Sequence, residues 1–84
     1  MNDREFLIYR NILKSLKAAD GLLVLGNHLQ QEVAMATRQL TTTEFFDTLV
    51  EVEARQLVTS VRGERGVRYK INDAGHAWLS ENKA

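Results

Sequence analysis

Between Leu40 and Ile71 the spacing of apolar residues changes from a helical period to a period of two. That change requires a helix running directly into a β-hairpin, and the rest of the chain must cover this unit. On the helical side, Thr41 stands three residues before Glu44, the capping-box spacing, in which each side chain satisfies the other's free backbone N–H. Leu40 before the cap and Phe45 after it can close over the entry as a hydrophobic staple. Phe45, Leu49 and Val52 then fall at i, i+4 and i+7, one buried stripe.

Beyond Leu57 the period is two. Leu57, Thr59 and Val61 alternate with Val58, Ser60 and Arg62. After Gly63-Glu64-Arg65-Gly66, Val67, Tyr69 and Ile71 alternate with Arg68 and Lys70. Period two on both sides of a short glycine-bounded loop is the pattern of a hairpin. One face is expected to be apolar and to pack on the helix. Arg62, Arg68 and Lys70 are expected on the other face, with Arg65 at the tip.

Ahead of this unit, residues Asp3 to about Ala19 read as a first helix capped by Asp3, with Phe6, Tyr9, Leu13 and Leu16 as its stripe and Ile12 widening it. Leu7 and Ile8 lie off that stripe. The helix is therefore either buried on two sides within the domain or also paired with a second subunit. Arg4, Arg10, Lys14 and Lys17 would form its solvated face. Leu22 to Leu25 is a brief strand or a tucked connector. Gly26-Asn27 opens a shorter helix with Leu29, Val33 and Ala36 facing inward. Asn72 caps a last helix from Asp73 to about Glu81, anchored by Ala74 and Trp78, and Ser80 to Ala84 are expected to fray.

Taken together, helix, short strand, helix, capped helix, basic hairpin and closing helix resemble a winged helix-turn-helix domain. The segment LTTTEFFDTLVEVEARQLVTSVRGERGVRYKINDAGHAWL, residues 40–79, is similar to the core of small bacterial MarR-like regulators. In that family an apolar residue and two leucines are followed by "RGLV", a wing, and "LTDAG" opening the next helix. Here the positions are Phe45, Leu49 and Val52, then Arg55-Gln56-Leu57-Val58, the wing, and Ile71-Asn72-Asp73-Ala74-Gly75. The resemblance implies a mainly α fold with a small β-hairpin: a three-helix core, a two- or three-stranded wing and a C-terminal helix in one domain over residues 1–84. It also implies a DNA-binding transcriptional regulator acting as a homodimer. Two departures stand out. Gln56 replaces the family's glycine, and the third helix, which in the family lies in the major groove, carries no Lys or Arg before Arg55.

Charge sharpens that second point. The 11 basic and 11 acidic residues sum to zero, whereas a nucleic-acid binder usually shows excess positive charge. Residues 21–60 hold two basic against five acidic side chains, and residues 61–84 hold five against three. Candidate DNA contacts are therefore Thr42, Thr43 and Thr48 on the third helix, where free N–H groups at the start favour a phosphate, and Arg62, Arg65, Arg68 and Lys70 on the wing. Phe46 and Val50, four apart, make an apolar strip on the same helix. It could pack under the first helix or Trp78, meet thymine methyls, or serve a protein partner. The second class of function is thus an interaction module, with Leu7, Ile8, Phe46 and Val50 as interface candidates.

Catalysis finds no support. The chain has no cysteine, and neither His28 nor His76 has a second ligand expected at i, i+4, so no metal site is predicted. Glu51 and Glu53 lie on different helix faces and cannot act as a pair. No cofactor and no catalytic residue is expected. No apolar run approaches the ~20 residues of a membrane span, and MNDREFLIYR lacks the order of a secretory signal, so a cytoplasmic location is expected.

Overall fold

A computed structural model describes residues 1–82. Ser80 and Glu81, expected to fray, instead complete the last helix, and the same expectation for Lys83 and Ala84 lies outside the described residues. The elements run α1 (Asp3–Ala18), β1 (Val24–Leu25), α2 (Gly26–Ala36), α3 (Thr42–Ala54), β2 (Val58–Gly63), β3 (Gly66–Ile71) and α4 (Asp73–Glu81). Three short strands form one antiparallel sheet in the order β1-β3-β2, so Val24–Leu25 is a strand. Tyr9, Ile12, Leu13, Leu16, Leu29, Val33, Phe45, Leu49, Val52, Val58, Ile71 and Leu79 share one core, with Trp78 half-buried against it.

Local polar chemistry fixes the helix starts. The cap of α1 is Asn2, whose Oδ1 accepts from Glu5 N at 2.8 Å; Asp3 instead sits in the first turn, where its carboxylate meets the helix dipole. Asn72 caps α4 as expected, accepting from Gly75 N at 2.9 Å. On α2, Leu29 and Val33 are buried but Ala36 is exposed. The inward position falls on Thr37, 2% exposed, whose Oγ1 accepts from Asn11 Nδ2 at 2.9 Å. Asn11 Nδ2 also reaches the Ala36 carbonyl at 3.3 Å. This buried polar pair satisfies its own donors and ties α1 to the end of α2.

The inward pair on α4 is Gly75 and Leu79, while Ala74 faces solvent. A Cβ at Gly75 would collide with the Leu57 carbonyl oxygen and stand 2.7 Å from Ile71 Cγ1. Only glycine lets α4 come this close. Trp78 stacks at a tilt against Phe6 and Tyr9, with ring centroids 5.3 and 5.8 Å apart, and so joins α4 to α1.

The hairpin register corrects the expected faces. Val58, Ser60 and Arg62 pair with Ile71, Tyr69 and Val67, and Thr59 and Val61 pair with Lys70 and Arg68. Directly paired residues share a face. The inner face is therefore Val58, Ser60, Arg62, Val67, Tyr69 and Ile71, and Val61, 45% exposed, lies outside beside Arg68. Glu64 and Arg65 form the turn, and Gly66 takes a φ of +120°.

At the end of α3, Gln56 has a φ of +61°, the left-handed conformation that glycine adopts freely. The departure at this position is thus a strained residue at a helix exit. A side chain there costs about 1–2 kcal/mol, while glycine adds about 0.5–1 kcal/mol of chain entropy loss. Gln56→Gly should therefore raise the unfolding free energy by about 0.5–1 kcal/mol in urea denaturation. Gly75→Ala should lower it by about 2–3 kcal/mol, because neither the Leu57 backbone nor Ile71 can retreat without repacking the core. An unchanged midpoint for Gly75→Ala would refute the close approach.

Candidate nucleic-acid interface

The start of α3 is a polar surface held by several hydrogen bonds. Thr41 Oγ1 accepts from Glu44 N at 3.0 Å, which is half of the expected capping box. The other half is absent because Glu44 turns away to Arg4. Arg4 Nε donates to Glu44 Oε2 at 2.7 Å and Nη2 to Oε1 at 2.8 Å, a two-pronged pair, and Nη2 also meets the carbonyls of Arg38 and Gln39. Arg4 therefore belongs to a clamp that holds α1, the α2–α3 loop and α3 together. Its hydrogen bonds to Glu44 keep the Glu44 carboxyl below its ordinary value.

Thr42 and Thr43 stand exposed on the first turn. Thr42 Oγ1 accepts from Gln30 Nε2 at 2.8 Å, which orients it from α2. Thr48 does not reach the outer surface. It is 6% exposed, and its Oγ1 donates back to the Glu44 carbonyl at 2.8 Å. It lies three residues after Phe45 on the same buried stripe, a spacing that already marks it as inward.

Phe46 and Val50 also part company. Phe46 is half-buried; its ring meets Phe45 edge-on at 4.9 Å and lies beside Gly26 and Tyr69. Phe46 thus packs against the core, whereas Val50, 65% exposed, packs under neither α1 nor Trp78. Around it the exposed side chains are Asp47, Glu51 and Ala54. Glu51 is fixed from α1, accepting from the Tyr9 hydroxyl at 3.1 Å. Burial, followed by that hydrogen bond, pushes the Tyr9 phenol up to about 12. Ile8 is fully buried within the chain and Leu7 is half-buried, so burial on two sides within one chain accounts for the breadth of apolar surface on α1. Ile8 has no surface to offer a partner.

The basic residues of the hairpin are not one cluster. Arg62 lies on the inner face near Tyr69, Arg65 occupies the turn, and Arg68 and Lys70 lie on the outer face. Counting back across the two-residue turn, with Gly63 opposite Gly66, assigns Arg62 to the Val67–Tyr69 face from sequence alone. Burial raises the Tyr69 phenol pKa, assisted by the negative charge of Glu53 and opposed by Arg62. Glu53 is in turn hydrogen-bonded by the Ser60 hydroxyl, so this carboxylate serves the α3–hairpin junction. A cleft of about 200 Å³ opens between the turn and α2, bordered by Asn27, Phe46, Arg65, Val67 and Tyr69.

Among the described residues no group of three or more His, Asp or Glu side chains could hold a metal ion. His28 does have a partner one turn on, Glu32 Oε1 at 3.2 Å, but the pair is exposed and two ligands short of a closed site. No helix of the described residues is long and apolar enough to cross a membrane.

No protein-family model matches the chain, and no curated protein matches it. Among solved structures it is similar to TA0346 from Thermoplasma acidophilum, provisionally assigned as a transcriptional regulator. The TM-score is 0.72 at 26% sequence identity, over 94% of this chain and 79% of that one. The fold is thus that of a regulator-like protein, four helices with a small antiparallel sheet.

The Arg4–Glu44 clamp gives the α3 anchor a pH signature. Because the folded-state Glu44 pKa is lowered, its stabilisation is complete above the ordinary carboxylate value and is lost as pH falls through the depressed one. The melting temperature of Arg4→Ala should therefore approach that of the parent chain as the solution is acidified through this window. A constant gap between the two acid profiles would show that Arg4 acts through its carbonyl contacts and packing, without the Glu44 pair.

Proposed function

We propose that residues 1–84 form one winged-helix domain, a transcriptional regulator of the MarR-like kind that grips duplex DNA with its hairpin and the first turn of α3. The observation that carries this reading is the placement of cations on both faces and at the tip of one exposed hairpin, within a fold similar to a regulator. A hairpin entering a groove meets a wall of phosphates on each side. Arg62 suits one wall, Arg68 and Lys70 the other, and Arg65 reaches furthest in. Thr42 and Thr43 would add uncharged contacts at the start of α3.

The outer face of α3 supplies no cation, and Asp47 and Glu51 oppose phosphates. Affinity per protomer is accordingly low and salt-sensitive, and a homodimer gains what one protomer lacks by engaging two half-sites at once. No step in this function is chemical, and the chain acts as a binding protein. A second reading is favoured by Val50, whose 65% exposure amid carboxylates fits a protein partner with a basic, partly apolar surface.

Binding to random duplex DNA across a salt titration tests the first reading. Arg65→Ala combined with Lys70→Ala touches only exposed side chains. It should flatten the slope of log K against log salt by about 0.9 for each phosphate that is no longer neutralised. Asp47→Asn should tighten binding, since it removes a charge of the wrong sign. If all three proteins bind DNA alike, or none binds at low salt, the hairpin reading fails. In that case Val50→Lys abolishing capture of a basic partner would support the second.

A further inference from the structure

The positive charge of this chain has a second centre. On the flank where α1 meets α4, a groove of about 710 Å³ is lined by Arg10, Lys14 and Lys17 from one helix and His76 and Ser80 from the other, with Leu79 on its floor. No carboxylate lines it. In contrast, the groove of about 510 Å³ between the start of α1 and α3 is bordered by Glu5, Glu44, Asp47 and Glu51. The flank is therefore cationic in a chain whose net charge is zero.

Arg10 is the unusual member. Its guanidinium lies 5.8 Å from the centre of the Phe6 ring, which holds the side chain along the helix. Its Nε is buried, and among the described residues it is the one buried side-chain N or O atom without a hydrogen-bond partner. Such a donor costs stability unless an acceptor reaches it. Lys17 alone could be explained by the negative end of the α1 dipole, but that effect fades within the last turn and does not reach Arg10. Arg10, Lys14 and Lys17 recur at i, i+4 and i+7, so they point along one side of the helix.

We infer that the α1–α4 groove binds a small phosphate-bearing anion. Three cationic side chains along one wall and no carboxylate among the lining residues match a phosphate's charge and its outward-facing oxygens. The apolar floor at Leu79 gives room for an organic body, and the volume is that of a small-molecule site. The ligand is distinct from the duplex DNA assigned to the hairpin, and the inference does not depend on that assignment.

Sodium pyrophosphate, titrated at constant ionic strength and followed by amide chemical shifts, is the direct probe. Saturable shifts confined to residues 10–18 and 76–80 are expected. Lys14→Gln with Lys17→Gln alters two exposed residues and should weaken pyrophosphate binding at least about tenfold, since two positive charges facing the anion are removed. Adenosine triphosphate binding more tightly than pyrophosphate would place an organic body on Leu79; equal affinity would show that the site reads the anion alone. Shifts centred on the hairpin, a linear response without saturation, or a double variant that binds as the parent does would each overturn the inference. So would a double variant that loses duplex DNA as strongly as pyrophosphate, because the phosphates engaged would then be those of DNA.

Discussion

The tightest constraint on this fold is the contact of one backbone carbonyl with one glycine. The Leu57 oxygen lies against Gly75 and also accepts from Asn72 N at 3.4 Å, while Asn72 Nδ2 donates to the Gln56 carbonyl at 2.7 Å. Around this one point the end of α3, the start of β2, the end of β3 and the start of α4 are joined. The left-handed turn at Gln56 is what aims the chain into this junction. If Gly75 carried a side chain, α4 would have to stand off. Trp78 would then lose its place between Phe6 and Tyr9, and the hairpin would lose its fixed root. The hairpin and α4 are both set by this small backbone knot.

At its other end α3 is held by charge. The Arg4 guanidinium joins Glu44 to the carbonyls of Arg38 and Gln39, so the loop before α3 has few ways to move. Side chains on α3 that look free in sequence are committed by such ties: Glu44 to Arg4, Glu51 to Tyr9, Glu53 to Ser60 and Thr48 to the helix itself. The acidity of this helix is therefore partly structural. Asp47 has no such tie among the described residues and remains the carboxylate whose charge is fully offered to a partner.

Much of this was legible. The Thr41 cap, the Phe45-Leu49-Val52 stripe, the hairpin limits and the Asn72 cap follow from local rules that act over a few residues. The failures share a cause, the phase of a pattern. In β2, Leu57 and Val58 are both buried, so alternation can be started from either, and only pairing across the turn shows that Val58 faces Ile71. On α4, Ala74 and Gly75 differ by one position, and the choice depends on how near the Leu57 carbonyl comes. The Asn11–Thr37 pair left no mark in the sequence pattern, because two polar residues 26 apart become partners only once α1 and α2 have packed.

These corrections change what the charges mean. With Arg62 moved to the inner face, the hairpin carries cations on both faces near its tip rather than on one side, although its root packs on the core. In the proposed reading the acidic outer surface of α3 acts as a filter. It disfavours an approach of phosphate led by α3 relative to one led by the hairpin, so orientation is biased before contact is made. A chain of zero net charge gains little from long-range attraction, and in the proposed reading this division of sign is what keeps its binding from being indiscriminate. The cationic flank at Arg10, Lys14 and Lys17 belongs to the same logic. Its charge is set apart from the hairpin, in a groove shaped for a molecule smaller than a duplex.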